Sequence, residues 1–167
     1  NIMTGSPISD LNPIFMASQT KLNFKSVHGF RQISMDNDFF TSYRKNIALP
    51  EEVLISIEIP FTSEKQYFKA FKQSRRRDED ITIVNMALNV EFEENVDKIS
   101  KLSIAFGGMA PVTVLADQTC QQVIGYQWND ALLVKIYSGL LDELHLDPSA
   151  LGGMPYYRQL LTLSLFF

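Results

Sequence analysis

The chain of 167 residues has little of what builds metal centres and disulfides. Cys120 is its single cysteine, which excludes an intramolecular disulfide and any cysteine-ligated metal cluster made from this chain alone. His28 and His145 are its two histidines, far apart and without metal-ligand spacing. Positive charge is not in excess: 15 Lys and Arg stand against 19 Asp and Glu, a formal net charge of −4. The global charge therefore gives no footprint for nucleic acid. Apolar runs stop far short of the roughly 20 residues that a membrane-spanning helix needs. The polar N-terminus lacks the basic-then-apolar order of a secretory signal, so a cytoplasmic location is expected. An initiator Met is also missing, and the last residues, Leu163 to Phe167, are an apolar run without a polar cap. The sequence therefore reads as a piece of a longer polypeptide. No Ser/His/Asp triad, catalytic carboxylate pair or metal cluster can be assembled from the spacing.

What is present is an ordinary globular balance, 46% hydrophobic and 20% charged residues, without repeats. Pro7–Ala17 can hold a short helix capped by Ser9 or Asp10. Lys21–Val27 and Arg31–Met35 read as a hairpin around His28-Gly29-Phe30, and Asp36-Asn37-Asp38 as a turn. Phe39–Pro50 reads as irregular. Val53–Ile59, Tyr67–Gln73, Ile83–Phe92 and Ile99–Phe106 alternate apolar and polar residues as strands do, the last two joined by a turn at Asn95-Val96-Asp97. Asp117–Gly125 is a candidate short helix with Cys120 as a small buried hydrophobe. Asn129–Leu146 has the strongest helical pattern, capped by Asn129, with Leu133, Ile136, Tyr137, Leu140, Leu141 and Leu144 at helical spacing. His145, near its end, suits the helix dipole. Gly152-Gly153 reads as a helix stop, and Met154–Phe167 opens a last helix. Strands followed by helices predict an α+β fold with an antiparallel sheet backed by helices. A boundary between residues 60 and 67 would divide the chain into 1–60 and 67–167.

Three motifs stand out. Asn1–Pro13 (NIMTGSPISDLNP) crowds short hydrogen-bonding side chains onto backbone shaped by Gly5, Pro7 and Pro13. Such a segment serves either as a turn with a helix cap, or as a cradle whose amides and short side chains hold a phosphate or a polyhydroxylated chain. Phe71–Asp80 (FKQSRRRDED) sets three arginines against three acids between two strands. It is either a solvated loop or, with Lys72 at a strand end, a cation poised near a phosphate. Phe106-Gly107-Gly108 reads as a tight turn leaving a strand.

The opening segment, together with Phe39–Pro60, Ala70–Asn85, Ala105–Pro111 and Gly152–Phe167, resembles the xanthine dehydrogenase/oxidase family of molybdenum hydroxylases, in order and over essentially the whole chain. The resemblance implies the C-terminal half of the family's FAD-binding domain: the end of the flavin-binding lobe, then a small lobe like the C-terminal domain of carbon monoxide dehydrogenase flavoproteins. It implies that Asn1, Thr4, Ser9 and Asp10 bind FAD, that Leu54 packs on the isoalloxazine and that Lys72 contacts the flavin. It makes Gln73–Ile83 a loop beside the flavin, acidic at Asp78 and Glu79 as in dehydrogenase forms, with Arg76 and Arg77 as its hinge. Tyr43 would lie near the approach of NAD. Molybdopterin and 2Fe-2S clusters would sit in other domains of a homodimeric, cytoplasmic or peroxisomal enzyme. That enzyme would oxidise hypoxanthine and xanthine to urate and pass electrons through FAD to NAD or oxygen, with no nucleic acid or membrane involved. An aldehyde oxidase, similar in layout but without NAD, is the neighbouring reading. A binding module with no redox role is the alternative from another class.

Overall fold

The computed structural model describes residues 1–94 and 97–167. Helix α1 (Asn12–Ala17) leads into β1 (Lys21–Ser26) and β2 (Gly29–Ser34), then β3 (Phe40–Ser42), β4 (Lys45–Asn46) and β5 (Val53–Glu58). After these come β6 (Gln66–Ser74), β7 (Thr82–Phe92), β8 (Ile99–Gly107) and β9 (Val114–Leu115). The helices α2 (Asp117–Gln121), α3 (Asp130–Glu143) and α4 (Pro155–Phe166) close the chain. The strands form an antiparallel sheet in the order β2-β1-β5, a β3-β4 ribbon, and an antiparallel sheet in the order β6-β7-β8-β9. This is the α+β arrangement that the order of the elements predicts. No helix among the described residues is long and apolar enough to cross a membrane.

The β7–β8 hairpin organises the core, because both of its faces are covered. Val84, Met86, Val90, Leu102, Ile104 and Phe106 point one way, toward Leu132, Ile136 and Leu140 of α3 and Phe166 of α4. Ala87 and Ala105, cross-strand partners, point the other way, into a second cluster with Met16 and Ala17 of α1, Phe24 and Phe39. Small side chains on that face let α1 lie close to the sheet. Asn85 and Asn89, also on that face of β7, are buried and donate to the carbonyls of Ser9 and Ala17, each at 2.9 Å. A polar residue on a strand that is covered on both sides must find such a partner.

Several expectations change in the structure. Ser9 and not Asp10 serves the start of α1, its Oγ accepting from the Asn12 amide at 3.2 Å. Residues 39–50 are not wholly irregular, since they contain the β3–β4 ribbon. The apolar series Val53, Ile55, Ile57 and Ile59 is 40–63% exposed. Strand β5 is an edge paired only with β1, and a register shift at Asn23/Phe24 leaves Leu54, opposite Phe24, as the residue at the core. On α3 the buried line is Leu132, Ile136 and Leu140, so Leu141 is turned outward. Gly152-Gly153 does not stop α3, which ends at Glu143, but precedes α4 with φ of +91° and +68°. The predicted turn at Asn95-Val96-Asp97 lies, at residues 95 and 96, outside the described residues.

Gly107-Gly108 does more than leave the strand. A Cβ on Gly107 would meet the Asn85 side chain, and one on Gly108, whose φ is +84°, would run into the Ile83 carbonyl. The Gly108 amide donates to the Pro7 carbonyl at 2.9 Å. These glycines let the N-terminal segment lie against the end of the β7–β8 hairpin. Gly108→Ala therefore lowers stability by about 1–3 kcal/mol, read as the guanidinium midpoint; an unchanged midpoint would contradict the close approach.

Candidate functional site

The N-terminal segment is tied down at several points. Gly5, with φ of +57°, turns the chain back so that its amide donates to the Ile2 carbonyl at 3.1 Å and the Ser6 amide to the Asn1 carbonyl at 3.3 Å. A Cβ on Gly5 would lie 3.0 Å from the Arg44 carbonyl carbon and the Lys45 nitrogen, so the segment presses on the β3–β4 ribbon. Asn46 of that ribbon donates to the Met3 carbonyl at 2.9 Å. The Asn12 side chain reaches back to the Ser6 carbonyl at 3.2 Å. Every loop carbonyl bound in this way fixes a turn that the short side chains alone could not hold.

Asp10 and Lys72, 62 residues apart, meet at the centre of the site. Lys72 Nζ donates to Asp10 Oδ2 and to the Asp80 carbonyl, both at 2.7 Å. The Thr82 hydroxyl donates to Asp10 Oδ1. Burial alone would push the Asp10 carboxyl up, but the hydrogen bonds from Lys72 and Thr82 and the Lys72 charge outweigh it and hold the group below its ordinary value. One carboxylate and one ammonium thus join the N-terminal segment, the end of β6, the loop after it and the start of β7.

That loop is internally bonded. The Asp80 carboxylate accepts from the amides of Arg76 and Ile81, each at 2.8 Å, and these donors hold its pKa down. Arg76 Nη2 donates to the Glu79 carbonyl at 2.8 Å, and Glu79 itself takes a left-handed φ of +51°. Arg77, Asp78 and Glu79 are exposed, and their side chains bond to no described residue. Arg76 therefore acts inside the loop, whereas Arg77, Asp78 and Glu79 face outward.

A cleft of about 420 Å³ opens beside this junction, lined by Pro7, Ile8, Tyr43, Asp80, Ile81 and Thr82 among others. Of the expected site residues, Tyr43 lines the cleft, and Asp10 and Lys72 bond to its wall at Asp80 and Thr82. Ser9 is buried beneath, and its hydroxyl accepts from the Asn12 amide at the start of α1. Asn1 and Thr4 sit exposed in one turn, where the Thr4 hydroxyl donates to the Asn1 carbonyl at 3.3 Å. Leu54 stands apart on β5, half-buried at the edge of the cluster around Phe24. Thr82, Asn85 and Asn46 were not legible as site residues. Their signal was slight: each is a short polar side chain inside or beside a strand.

The donor set fits a dinucleotide flavin. It offers an acceptor in Asp10, a cation in Lys72, and short amide and hydroxyl groups in Asn1 and Thr4 that are exposed. Residues 69–167 match the model of the CO dehydrogenase flavoprotein C-terminal domain. The chain belongs to that family. Residues 1–62 match the FAD binding domain in molybdopterin dehydrogenase. Among relatives, xanthine dehydrogenase/oxidase of Gallus gallus is 50% identical over the whole chain, and xanthine dehydrogenase of Calliphora vicina is 49% identical. Aldehyde oxidase 4 of Rattus norvegicus is 38% identical. The chain spans 12%, 13% and 12% of these three relatives. The carbon monoxide dehydrogenase of Hydrogenophaga pseudoflava has the same fold, with a TM-score of 0.86 at 17% identity, over 98% of this chain and 55% of that one. Over its whole length the chain is thus similar to a segment of xanthine dehydrogenase/oxidase, and its first 62 residues match an FAD binding domain.

Because the Asp10 pKa is lowered, its tie contributes fully above the ordinary aspartate value of about 3.9 and fades as pH falls through the lowered value. Asp10 and Lys72 are partly exposed, with side chains 53% and 34% accessible, which limits the worth of the pair. Asp10→Asn costs about 0.5–1 kcal/mol at pH 7, and the difference from the parent chain narrows in acid. Denaturant midpoints across that range measure it; a difference that persists unchanged to pH 2 contradicts the assignment.

Proposed function

We propose that this chain forms one wall of the FAD site of a xanthine dehydrogenase and that reducing equivalents leave for NAD along this wall. The observation that carries the reading is the Asp10–Lys72 junction, set in a chain 50% identical to a xanthine dehydrogenase/oxidase and 38% identical to an aldehyde oxidase. When bound, FAD supplies a two-electron carrier that takes up electrons from one-electron donors and releases them as a hydride. The chain's own residues bind, orient and exclude. Asn1 and Thr4 hydrogen-bond the pyrophosphate side of the cofactor, and Asp10 accepts from its hydroxyls. Leu54 offers an apolar surface for the ring. Lys72 brings a positive charge, which favours the negative charge that reduction adds to a flavin. Its bond to Asp10 fixes where that charge stands.

The loop after Lys72 gates the acceptor. Its outward acids, Asp78 and Glu79, set the local potential, Arg76 and Arg77 frame it, and Tyr43 lines the route toward the ring. The division into 1–60 and 67–167 is proposed as the two lobes meeting at this cleft, which agrees with the spans of the two family models. The 2Fe-2S clusters, the molybdopterin where hypoxanthine and xanthine are oxidised to urate, and the partner subunit of a homodimer belong to the rest of the enzyme.

In the whole enzyme, Lys72→Ala lowers FAD retention or NAD turnover by about tenfold, the scale of losing one charge-assisted contact. Flavin absorbance and NADH formation measure it, and no change in either refutes the role. An enzyme that holds FAD and oxidises its substrate but never reduces NAD is the aldehyde oxidase outcome. One that shows no flavin spectrum is the non-redox outcome. The double variant Asp78→Asn with Glu79→Gln raises oxygen use relative to NAD use several-fold; an unchanged ratio removes the loop's charge from the account.

A further inference from the structure

Arg158, in the first turn of α4, is buried to 5% exposure without a carboxylate partner among the described residues. Its Nε donates to the Gly153 carbonyl at 2.8 Å, Nη1 to the Gly108 carbonyl at 2.6 Å and Nη2 to the Leu151 carbonyl at 3.0 Å. Three of a guanidinium's five N–H groups are thereby satisfied, but carbonyl dipoles do not cancel its charge. Desolvation lowers its pKa, yet an arginine stays protonated. A buried charge is retained at a desolvation cost, and an anion meeting the two remaining N–H groups would offset part of it.

The surroundings suit such an anion. Arg158 lines the cleft beside Asp80 and Thr82, and Arg44 and Arg75 line it too. The one carboxylate in that lining, Asp80, already accepts from the amides of Arg76 and Ile81. Three guanidiniums against one carboxylate leave a surplus of two, the charge of a dinucleotide pyrophosphate. Gly152 and Met154, at the N-terminal end of the 12-residue α4, line the same cleft, so the positive end of that helix lies at its edge. The carbonyl clamp holds Arg158 rigid, which favours a planar, two-pronged grip on phosphate oxygens over a mobile surface charge.

We propose that Arg158 anchors the pyrophosphate of the dinucleotide acceptor, with Arg44 and Arg75 completing a cationic rim. This rests on the acceptor reading above and is tested separately from it. The probe is ADP-ribose, which carries the pyrophosphate without the nicotinamide, titrated calorimetrically into the FAD-loaded whole enzyme, with flavin content measured by absorbance. Arg158→Gln weakens ADP-ribose binding about tenfold or more and raises the KM for NAD in step, and Arg158→Lys restores part of both. Because Arg158→Gln removes three structural bonds, the exposed pair Arg44→Gln with Arg75→Gln supplies an independent arm, with weaker ADP-ribose binding and a flatter salt dependence. Unchanged ADP-ribose binding in that pair and in folded Arg158→Gln overturns the proposal while leaving NAD reduction intact. Loss of FAD with ADP-ribose binding unaltered also overturns it, by giving the charge to the flavin's own pyrophosphate. A parent enzyme that neither binds ADP-ribose nor reduces NAD defeats the acceptor reading together with this one.

Discussion

The ion pair between Asp10 and Lys72 is the contact on which the site's geometry depends. It is one bond between groups 62 residues apart, and by strength alone a partly exposed pair contributes little. Its importance is positional. Asp10 also takes the Thr82 hydroxyl, and Lys72 also takes the Asp80 carbonyl. Four pieces of backbone therefore converge on two side chains. Loss of either partner would leave the loop after β6 without its tie to the N-terminal segment.

This junction can exist only because the surfaces behind it approach closely. The Ala87–Ala105 pair makes room for α1, and Gly107-Gly108 makes room for the Pro7 carbonyl. Asn85 and Asn89 bind the Ser9 and Ala17 carbonyls that this approach buries. The same close packing puts the Gly108 carbonyl within reach of Arg158, so the buried guanidinium and the Asp10–Lys72 pair share one scaffold. Small residues on β7 and β8 are thus as important to the junction as the charged ones.

Much of this was legible in the sequence, and what was not has physical reasons. The period of the β7–β8 hairpin and of α3 is set by residues whose burial is local, so these elements read directly. The register of β5 did not, because its apolar alternation gives the strand but not which face meets the core; pairing with β1 decides that. Asp10 reads equally well as a cap or as a ligand group; its carboxylate is taken up by Lys72 and Thr82, while Ser9, two residues ahead of the N-cap Leu11, accepts from the Asn12 amide. Thr82 and Asn85 were hidden because their partners lie more than 70 residues away. Arg158 was hidden by its position in an amphipathic helix pattern, where a lone arginine reads as solvent-facing. The identity of the site came from the resemblance. The residues alone left a phosphate cradle and a helix cap open.

The central claim is that Asp10 and Lys72 act as one unit in presenting this wall to FAD. A double-mutant cycle on FAD affinity in the whole enzyme, with Asp10→Asn, Lys72→Met and both together, tests it most directly. The account predicts that the double variant binds FAD about as weakly as the worse single variant, a coupling on the order of 1 kcal/mol. Fully additive losses would contradict it, since the two side chains would then meet the cofactor independently and their bond to each other would carry no function.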